Sequence, residues 1–475
     1  MQESQNLPPS DEPTEVLFVN HASILIKQGG RYLLTDPWHQ KPAFGSWLPT
    51  LPQYVHPAYL ASLGGNLTIL ISHGHDDHCD DELLRIFDKD TEMVTASYAS
   101  PSVKNRLRKL GFQSITAVDS GGSKISNGFS VRSFINPLRS LDDATYTVNT
   151  GNALVIHCND NWFEFDKATL QAISVERRMF APQNIAFLSQ TNSASGYPLN
   201  YRIFTDAQKL EILAAKVASM IRQGLRNADS LGLTSFCSYA GYASVFVKDR
   251  PEYLNLGILP TAKFIVERLL TDASSKSLLQ KVKILDFYPG DVLDLSEGRL
   301  RKAFVSSGSY SDDAIKMITQ SYYRNYRVIE NCDTYRTQTT PPFDAAKLDY
   351  FLDNLNRFAV RKIDADGAAF ASVLGKSFEI LIEDLGISRR MTFGVGLVDS
   401  EPDGRLPNKR MIAGHDLMTQ VLDGQILFEN LYTGYEAEWE RHPVETYNRD
   451  IVMFIVMYSY VYKNTLCKQY GGASN

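Results

Sequence analysis

Residues 73–78 read His-Gly-His-Asp-Asp-His, placing four metal-ligating side chains, His73, His75, Asp77 and His78, within six positions. They follow the apolar run Leu67-Thr68-Ile69-Leu70-Ile71-Ser72 and precede a polar, helix-starting stretch, Cys79-Asp80-Asp81-Glu82. Side chains alternate along a strand, so an extended His-x-His pair projects both imidazoles to the same side. The turn into a helix then carries Asp77 and His78 round to a second position close by. Such a geometry suits two adjacent metal ions sharing one strand end. A polar loop that happens to carry three of the nine histidines is the weaker reading, because imidazoles and a carboxylate seldom cluster without a metal to hold. Cys79, beside the cluster, reads as a small packed residue.

The elements that must position this cluster are visible as alternating patterns from about residue 15 to 295. Thr68–Ser72, Phe129–Phe134, Ala153–His157 and Ile185–Leu188 are short, β-rich and bounded by Gly, Asn or Pro. Asp81–Phe87 and Ser102–Leu110 have helical periodicity. The clearest helix starts at Asp206 and runs to about Leu225, with Leu210, Leu213, Ala214, Val217, Ala218, Ile221 and Leu225 on one face. Thr205 and Gln208 make a capping box at its start. Pro289 to Leu295 reads as a turn and strand that closes this region. Beyond residue 300 the pattern changes to longer helices and a hairpin-like pair near 368–398. The expected organisation is a flexible tail over 1–13, a catalytic domain over 14–300 and an α+β accessory domain over 301–475.

With 475 residues and 44% hydrophobic content, the chain can build two or three full cores. A net charge of −6 without a basic block argues against a nucleic-acid partner. The first thirteen residues lack the basic and apolar regions of a signal peptide. The apolar stretch Ile451–Tyr462 is too short to span a bilayer and reads as a buried helix. Five dispersed cysteines, without Cys-x-x-Cys spacing, fit free thiols in a reducing, cytoplasmic setting.

The hexapeptide, together with Phe18-Val19-Asn20-His21-Ala22-Ser23-Ile24-Leu25-Ile26 and Leu33-Leu34-Thr35-Asp36-Pro37-Trp38, resembles the metallo-β-lactamase superfamily. The resemblance implies an α/β fold, the αββα sandwich with metals at one edge of two sheets, here with an additional C-terminal α+β domain. Superfamily members include hydrolases, nucleases, lactonases and a minority of iron oxygenases, so the motif implies a site rather than a reaction. It also implies a bridging aspartate at the end of a later apolar strand, and Asp160 after Ala153–His157 fits. His157 itself reads as a satisfied core histidine. The family's third histidine is replaced by Asp142 or Asp143, which the sequence does not separate. Its last histidine is absent, with Asp249 the replacement. His21 and Asp36 lie on strand ends that approach the metals and are expected to support the ligands rather than bind; Asp36 would orient His73 or His75.

Exchanging imidazole for carboxylate makes a site harder and more anionic, which tilts the expectation from zinc or manganese to iron. A closer resemblance points the same way. Asp36-Pro37-Trp38, Pro42 to Trp47, Asn192 to Pro198, Tyr239 to Tyr242, Pro289 to Leu295 and Glu429 to Tyr435 are collinear with the lactamase-like part of the CMP-N-acetylneuraminic acid hydroxylases. Those enzymes carry a Rieske iron–sulfur domain; no Cys-x-His…Cys-x-x-His pair occurs here. The resemblance, together with lactamase-fold di-iron oxygenases, implies a non-haem iron monooxygenase, a hydroxylase of small molecules serving biosynthesis. It would use dioxygen, two iron ions and an external electron donor such as a ferredoxin or flavoprotein reductase. Tyr197 and Tyr242 lie in loops that the resemblance places near the site mouth. The alternative is a metal-dependent hydrolase of a phosphodiester, lactone or amide, with a metal-bound hydroxide as nucleophile.

Overall fold

The computed structural model describes residues 7–135, 143–192, 195–247, 267, 269–303, 312–326, 330, 332, 341–398, 405–446 and 448–469. Two mixed sheets form the centre of the N-terminal part. The first has eight strands in the order Arg299–Arg301, Val292–Asp294, Thr14–Asn20, Ser23–Gln28, Arg31–Thr35, Leu67–Ile71, Glu92–Ala96 and Ile115–Val118. The second has seven, in the order Lys283–Leu285, Ser235–Tyr239, Ile185–Gln190, Leu154–His157, Ala144–Asn149, Phe129–Ile135 and Ser123–Ser126. Their facing sides bury one apolar layer that includes Val16, Phe18, Ile24, Leu70, Val94, Val131, Tyr146, Val155 and Leu188. Strands buried on both faces must be apolar at successive positions, which is why Leu67–Ile71 and Leu154–His157 read as continuous runs rather than alternating ones.

Helices cover both outer faces. On the first sheet, Leu83, Leu84, Val103 and Leu107, from the helices Asp81–Arg85 and Ser102–Lys109, pack with Ile69, Ile71 and Met93. On the second, the helix Asp206–Ser230 buries Leu213, Val217, Ile221 and Leu225 against Ile156, Phe187 and Phe236. The capping box of Thr205 with Gln208 is present. The helix runs a turn beyond Leu225, because Ala228 and Leu231 continue the buried face. Leu210, expected on that face, is 37% exposed in the first turn. The result is an αββα sandwich.

Past this sandwich, a five-stranded sheet in the order Gly396–Val398, Ile387–Thr392, Ser377–Ile382, Lys409–Ala413 and Glu438–Arg441 packs with the helices Ala345–Asp366 and Arg449–Gln469. The hairpin expected near 368–398 is the antiparallel pair 377–382 and 387–392; residues 367–373 are instead a 3-10 turn. Ile451, Phe454, Ile455, Tyr458 and Tyr462 bury one side of the last helix. Among the described residues no helix is long and apolar enough to cross a membrane.

One buried ionisable group outside the candidate site gives a stability test. Glu176, on the helix Lys167–Arg177, accepts a 2.7 Å hydrogen bond from the Thr147 hydroxyl. Burial raises its carboxyl above the ordinary 4.5, only partly offset by the Thr147 bond and Arg132. A raised folded-state value means the fold is stabilised below pH 4.5 and loses that contribution as pH climbs through the folded value. Glu176→Gln is therefore expected to melt roughly 2 °C above the parent at pH 8, with the difference closing near pH 4, in calorimetric scans.

Candidate metal centre

Parallel strands present their C-terminal ends on one edge, where loops can carry chemistry. In the first sheet Arg31–Thr35, Leu67–Ile71 and Glu92–Ala96 are parallel, and Asp36 and His73 follow the first two. In the second, Leu154–His157, Ile185–Gln190 and Ser235–Tyr239 are parallel, and Asp160 follows the first. His21 belongs to the two-residue turn between Thr14–Asn20 and Ser23–Gln28, pinned by Ala240, whose amide donates to the His21 carbonyl at 2.8 Å. His21, Asp36, Asn159 and Ala240 all have positive φ, from 40° to 49°. Non-glycine residues in that region cost about 1 kcal/mol or more each and persist only where surrounding bonds over-determine them.

The side chains these turns deliver converge. His21 Nε2 lies 3.3 Å from Asp77 Oδ2, and His78 Nε2 lies 3.6 Å from Asp77 Oδ2 and 3.5 Å from Asp160 Oδ1. His73 Nε2 is 2.9 Å from His75 Nδ1, and His73 Nδ1 is 4.0 Å from Asp143 Oδ1. Two groups, His21–Asp77–His78 and His73–His78–Asp160, have donor atoms all within 4.8 Å of one another. His78 is common to both, as expected of two neighbouring positions.

Hydrogen bonding fixes which nitrogens remain as donors to a cation. Asp36 accepts from the Ser72 amide at 2.6 Å, the Ser72 hydroxyl at 2.7 Å, His78 Nδ1 at 3.1 Å and His157 Nε2 at 3.1 Å. The Asn159 amide donates to the Tyr239 hydroxyl at 2.5 Å, and that hydroxyl donates to His157 Nδ1 at 2.7 Å, so the His157 proton sits on Nε2. His78 likewise carries a proton on Nδ1 and turns Nε2 towards the carboxylates of Asp77 and Asp160, where a metal ion could take the place of a second proton. With the Ser72 proton committed to Asp36, His73 Nδ1–H donates to Ser72 Oγ at 3.0 Å. His75 Nε2–H points at Glu429 Oε1, 3.2 Å away. The remaining His73 Nε2 and His75 Nδ1 lone pairs then face each other at 2.9 Å, a contact that repels unless a cation or proton lies between them.

The orphaned atoms give an independent test of fit. His21 Nε2, Asp77 Oδ1, His78 Nε2, Asp143 Oδ1 and Asp160 Oδ1 are buried without a hydrogen bond. Each such group costs about 1–3 kcal/mol if left unpaired, and carboxylates cost more. Imidazole and carboxylate donors converging in this way fit divalent or trivalent metal ions. The electrostatics agree. Burial pulls His78 down, yet Asp77, Asp160 and Asp36 outweigh it and hold the imidazole well above its ordinary value. Burial, reinforced by Asp160, pushes the Asp143 carboxyl up to about 7. A cation among Asp77, Asp143 and Asp160 would offset their mutual repulsion.

The outcome for each expected residue is specific. His73, His75, Asp77, His78, Asp143 and Asp160 are brought together. Asp142 and Asp249 lie outside the described residues. His21, expected only to support ligands, is itself in the cluster, with both ring nitrogens free of hydrogen bonds. Asp36 accepts directly from His78 and His157 and reaches His73 through the Ser72 hydroxyl. Tyr242 is buried, with its hydroxyl donating to the Phe287 carbonyl at 2.9 Å, and Tyr197 packs on Tyr201, Phe204 and Arg441. Both tyrosines therefore serve packing in this structure. Sequence reasoning missed Glu429, which has no local signal tying it to the hexapeptide; for His21, a histidine in a tight turn at a strand end was the available clue.

Residues 15–171 match the family described as a beta-lactamase superfamily domain. They are a beta-lactamase superfamily domain. A Rieske 2Fe-2S iron-sulfur protein of Mycolicibacterium smegmatis is 36% identical over 99 residues, 21% of this chain and 19% of that protein. A Mycobacterium tuberculosis counterpart is 35% identical over the same length. The match thus spans about a fifth of these curated relatives. Among solved structures, the metallo hydrolase Igni18 of Ignicoccus hospitalis has 12% identity and a TM-score of 0.37, covering 59% of this chain and 98% of that one. CmlA, a diiron β-hydroxylase from Streptomyces venezuelae, has 16% identity and a TM-score of 0.35, covering 59% and 53%. In the lactamase-fold domain the hexapeptide is the link from strand Leu67–Ile71 to helix Asp81–Arg85.

Proposed function

We propose that this protein is a non-haem, di-iron oxygenase that hydroxylates a small molecule with electrons from a separate donor. The observation that carries the reading is the carboxylate share of the cluster: Asp77 and Asp160 each present a buried, unbonded oxygen within the two donor groups, and a third such oxygen, on Asp143, lies 4.0 Å from His73. Hard oxygen donors favour iron over zinc. Iron bound here would supply dioxygen activation. The residues of the chain supply the rest: His73, His75, His78 and His21 hold position, while Asp36 fixes the His78 proton on Nδ1.

Access is one-sided. The side chain of His75 is 40% exposed, Asp160 16% and Asp143 14%, whereas His21, Asp77 and His78 are at most 1% exposed. A substrate therefore meets the His75–Asp143–Asp160 side, and the buried side excludes water. The Phe44 ring, 5.5 Å from His75, gives that approach an apolar wall. Similarity to Rieske proteins supports a ferredoxin-like iron–sulfur donor as the partner.

His21 favours a second reading. It restores a fourth imidazole, and imidazole-rich sites suit zinc and a hydrolase of a phosphodiester, lactone or amide. Elemental analysis and oxygen uptake separate the two. Protein supplied with iron is expected to hold two irons per chain and to consume oxygen only with reductant present. Stoichiometric zinc, phosphodiester cleavage and no oxygen uptake would overturn the oxygenase.

A further inference from the structure

We propose that the C-terminal region is an integral part of the metal centre, with Glu429 acting as the positioning residue that fixes the His75 imidazole. This rests on the reading of His75 as a metal ligand. Glu429 lies on the short helix Phe428–Tyr432, far along the chain from the hexapeptide, and its side chain is 9% exposed. Both of its oxygens are engaged: Oε1 faces His75 Nε2 at 3.2 Å, and Oε2 accepts from the Tyr460 hydroxyl at 2.6 Å. Tyr460 belongs to the last helix, Arg449–Gln469.

The chemical need is plain. His75 can offer Nδ1 to a metal only if its proton is on Nε2, and that proton needs an acceptor. A carboxylate behind a ligating histidine fixes the tautomer, orients the ring and raises its basicity. His78 has such a partner in Asp36, from the lactamase-fold domain itself. For His75 the equivalent carboxylate comes from the C-terminal region.

The segment carrying Glu429 is held against the lactamase-fold domain through its backbone. Trp47 Nε1 donates to the Thr433 carbonyl at 2.7 Å, Asn200 Nδ2 to the Tyr432 carbonyl at 3.0 Å, and Ser46 Oγ to the Gly434 carbonyl. The Tyr435 hydroxyl returns a bond to the Ser195 carbonyl at 2.9 Å. Gly434 packs so closely that a Cβ there would sit 2.3 Å from the Phe44 carbonyl, and Phe44 is the ring beside His75. Three donors from one region and a glycine contact in the other fix where Glu429 stands.

The test uses the full chain, stripped of metal and titrated with Co(II), whose visible absorption counts occupied positions. The parent is expected to take up two ions. Glu429→Ala is expected to weaken one of the two by about 10–100-fold, leave the other within a few-fold, and keep the melting temperature of the metal-free protein. Tyr460→Phe, which loosens Glu429 without removing it, should weaken the same position less. Should Glu429→Ala not fold, Glu429→Gln replaces it, and a several-fold weakening is expected from loss of the charge. Co(II) binding unchanged in all variants would overturn the role of Glu429. A parent that binds no Co(II) would instead sink the metal-centre reading on which it rests.

Discussion

Replacing His78 with alanine is expected to remove one metal position outright. His78 Nε2 is the atom both donor groups share, 3.6 Å from Asp77 and 3.5 Å from Asp160. Its ring cannot be replaced by a neighbour, because His21 and His73 are already committed on either side. Loss of an outer partner of a metal ligand typically costs 10–100-fold in affinity, so loss of the shared ligand should exceed about 100-fold at that position. Elemental analysis after dialysis should fall from two ions per chain to one or fewer, and activity should vanish with it. Two ions retained by His78→Ala would remove this cluster as the metal site.

The second large effect is expected at Asp36, which touches no metal on this reading. It accepts four hydrogen bonds at full burial, from the Ser72 amide and hydroxyl, His78 and His157. Asp36→Ala leaves all four donors without an acceptor, and removing one partner of a buried charged network costs about 3–5 kcal/mol. It also frees the His78 proton to move to Nε2, the atom needed for metal. The variant should therefore unfold at clearly lower denaturant and bind metal more weakly, even where it stays folded. The pH dependence has a defined sign. Burial raises the Asp36 carboxyl, but His78 and His157 outweigh burial and hold it below its ordinary 3.8. A depressed value stabilises the fold above pH 3.8 and is lost as pH falls through the folded value, so Asp36→Asn should flatten acid unfolding. Identical acid-unfolding curves for parent and variant would contradict this account.

Much of the fold was legible because local rules agreed with tertiary demands. The runs 67–71 and 154–157 are buried at every position and apolar at all but Thr68 and His157, as strands covered on both faces tend to be. The helix after Thr205 carried both its cap and its buried stripe in the sequence. Leu210 missed the core because the buried face runs through Lys209, Leu213 and Val217, one position to its side. The resemblance brought Asp142 or Asp143 to the cluster without separating them, and only the structure puts Asp143 4.0 Å from His73. The direct partners of Asp36, His78 and His157, were not legible, since a strand end has a position in sequence but its side chain's direction depends on the neighbouring strand. His21 was underrated for the same reason: its turn has φ of 47°, held by a hydrogen bond from Ala240, which no local pattern announces.

Resemblance to a known superfamily implied the sandwich; the sequence by itself determined the hexapeptide and the strand that carries it. Those depend on residue type and short spacing, which a one-dimensional chain records directly. Only the tertiary structure decided which atoms face one another. It put His21 beside Asp77, turned Asp36 towards His78 and His157, and brought Glu429 behind His75 from the far end of the chain. Such pairings follow from sheet order and from how the C-terminal region docks, and a carboxylate's partner is set by that docking rather than by its neighbours in sequence.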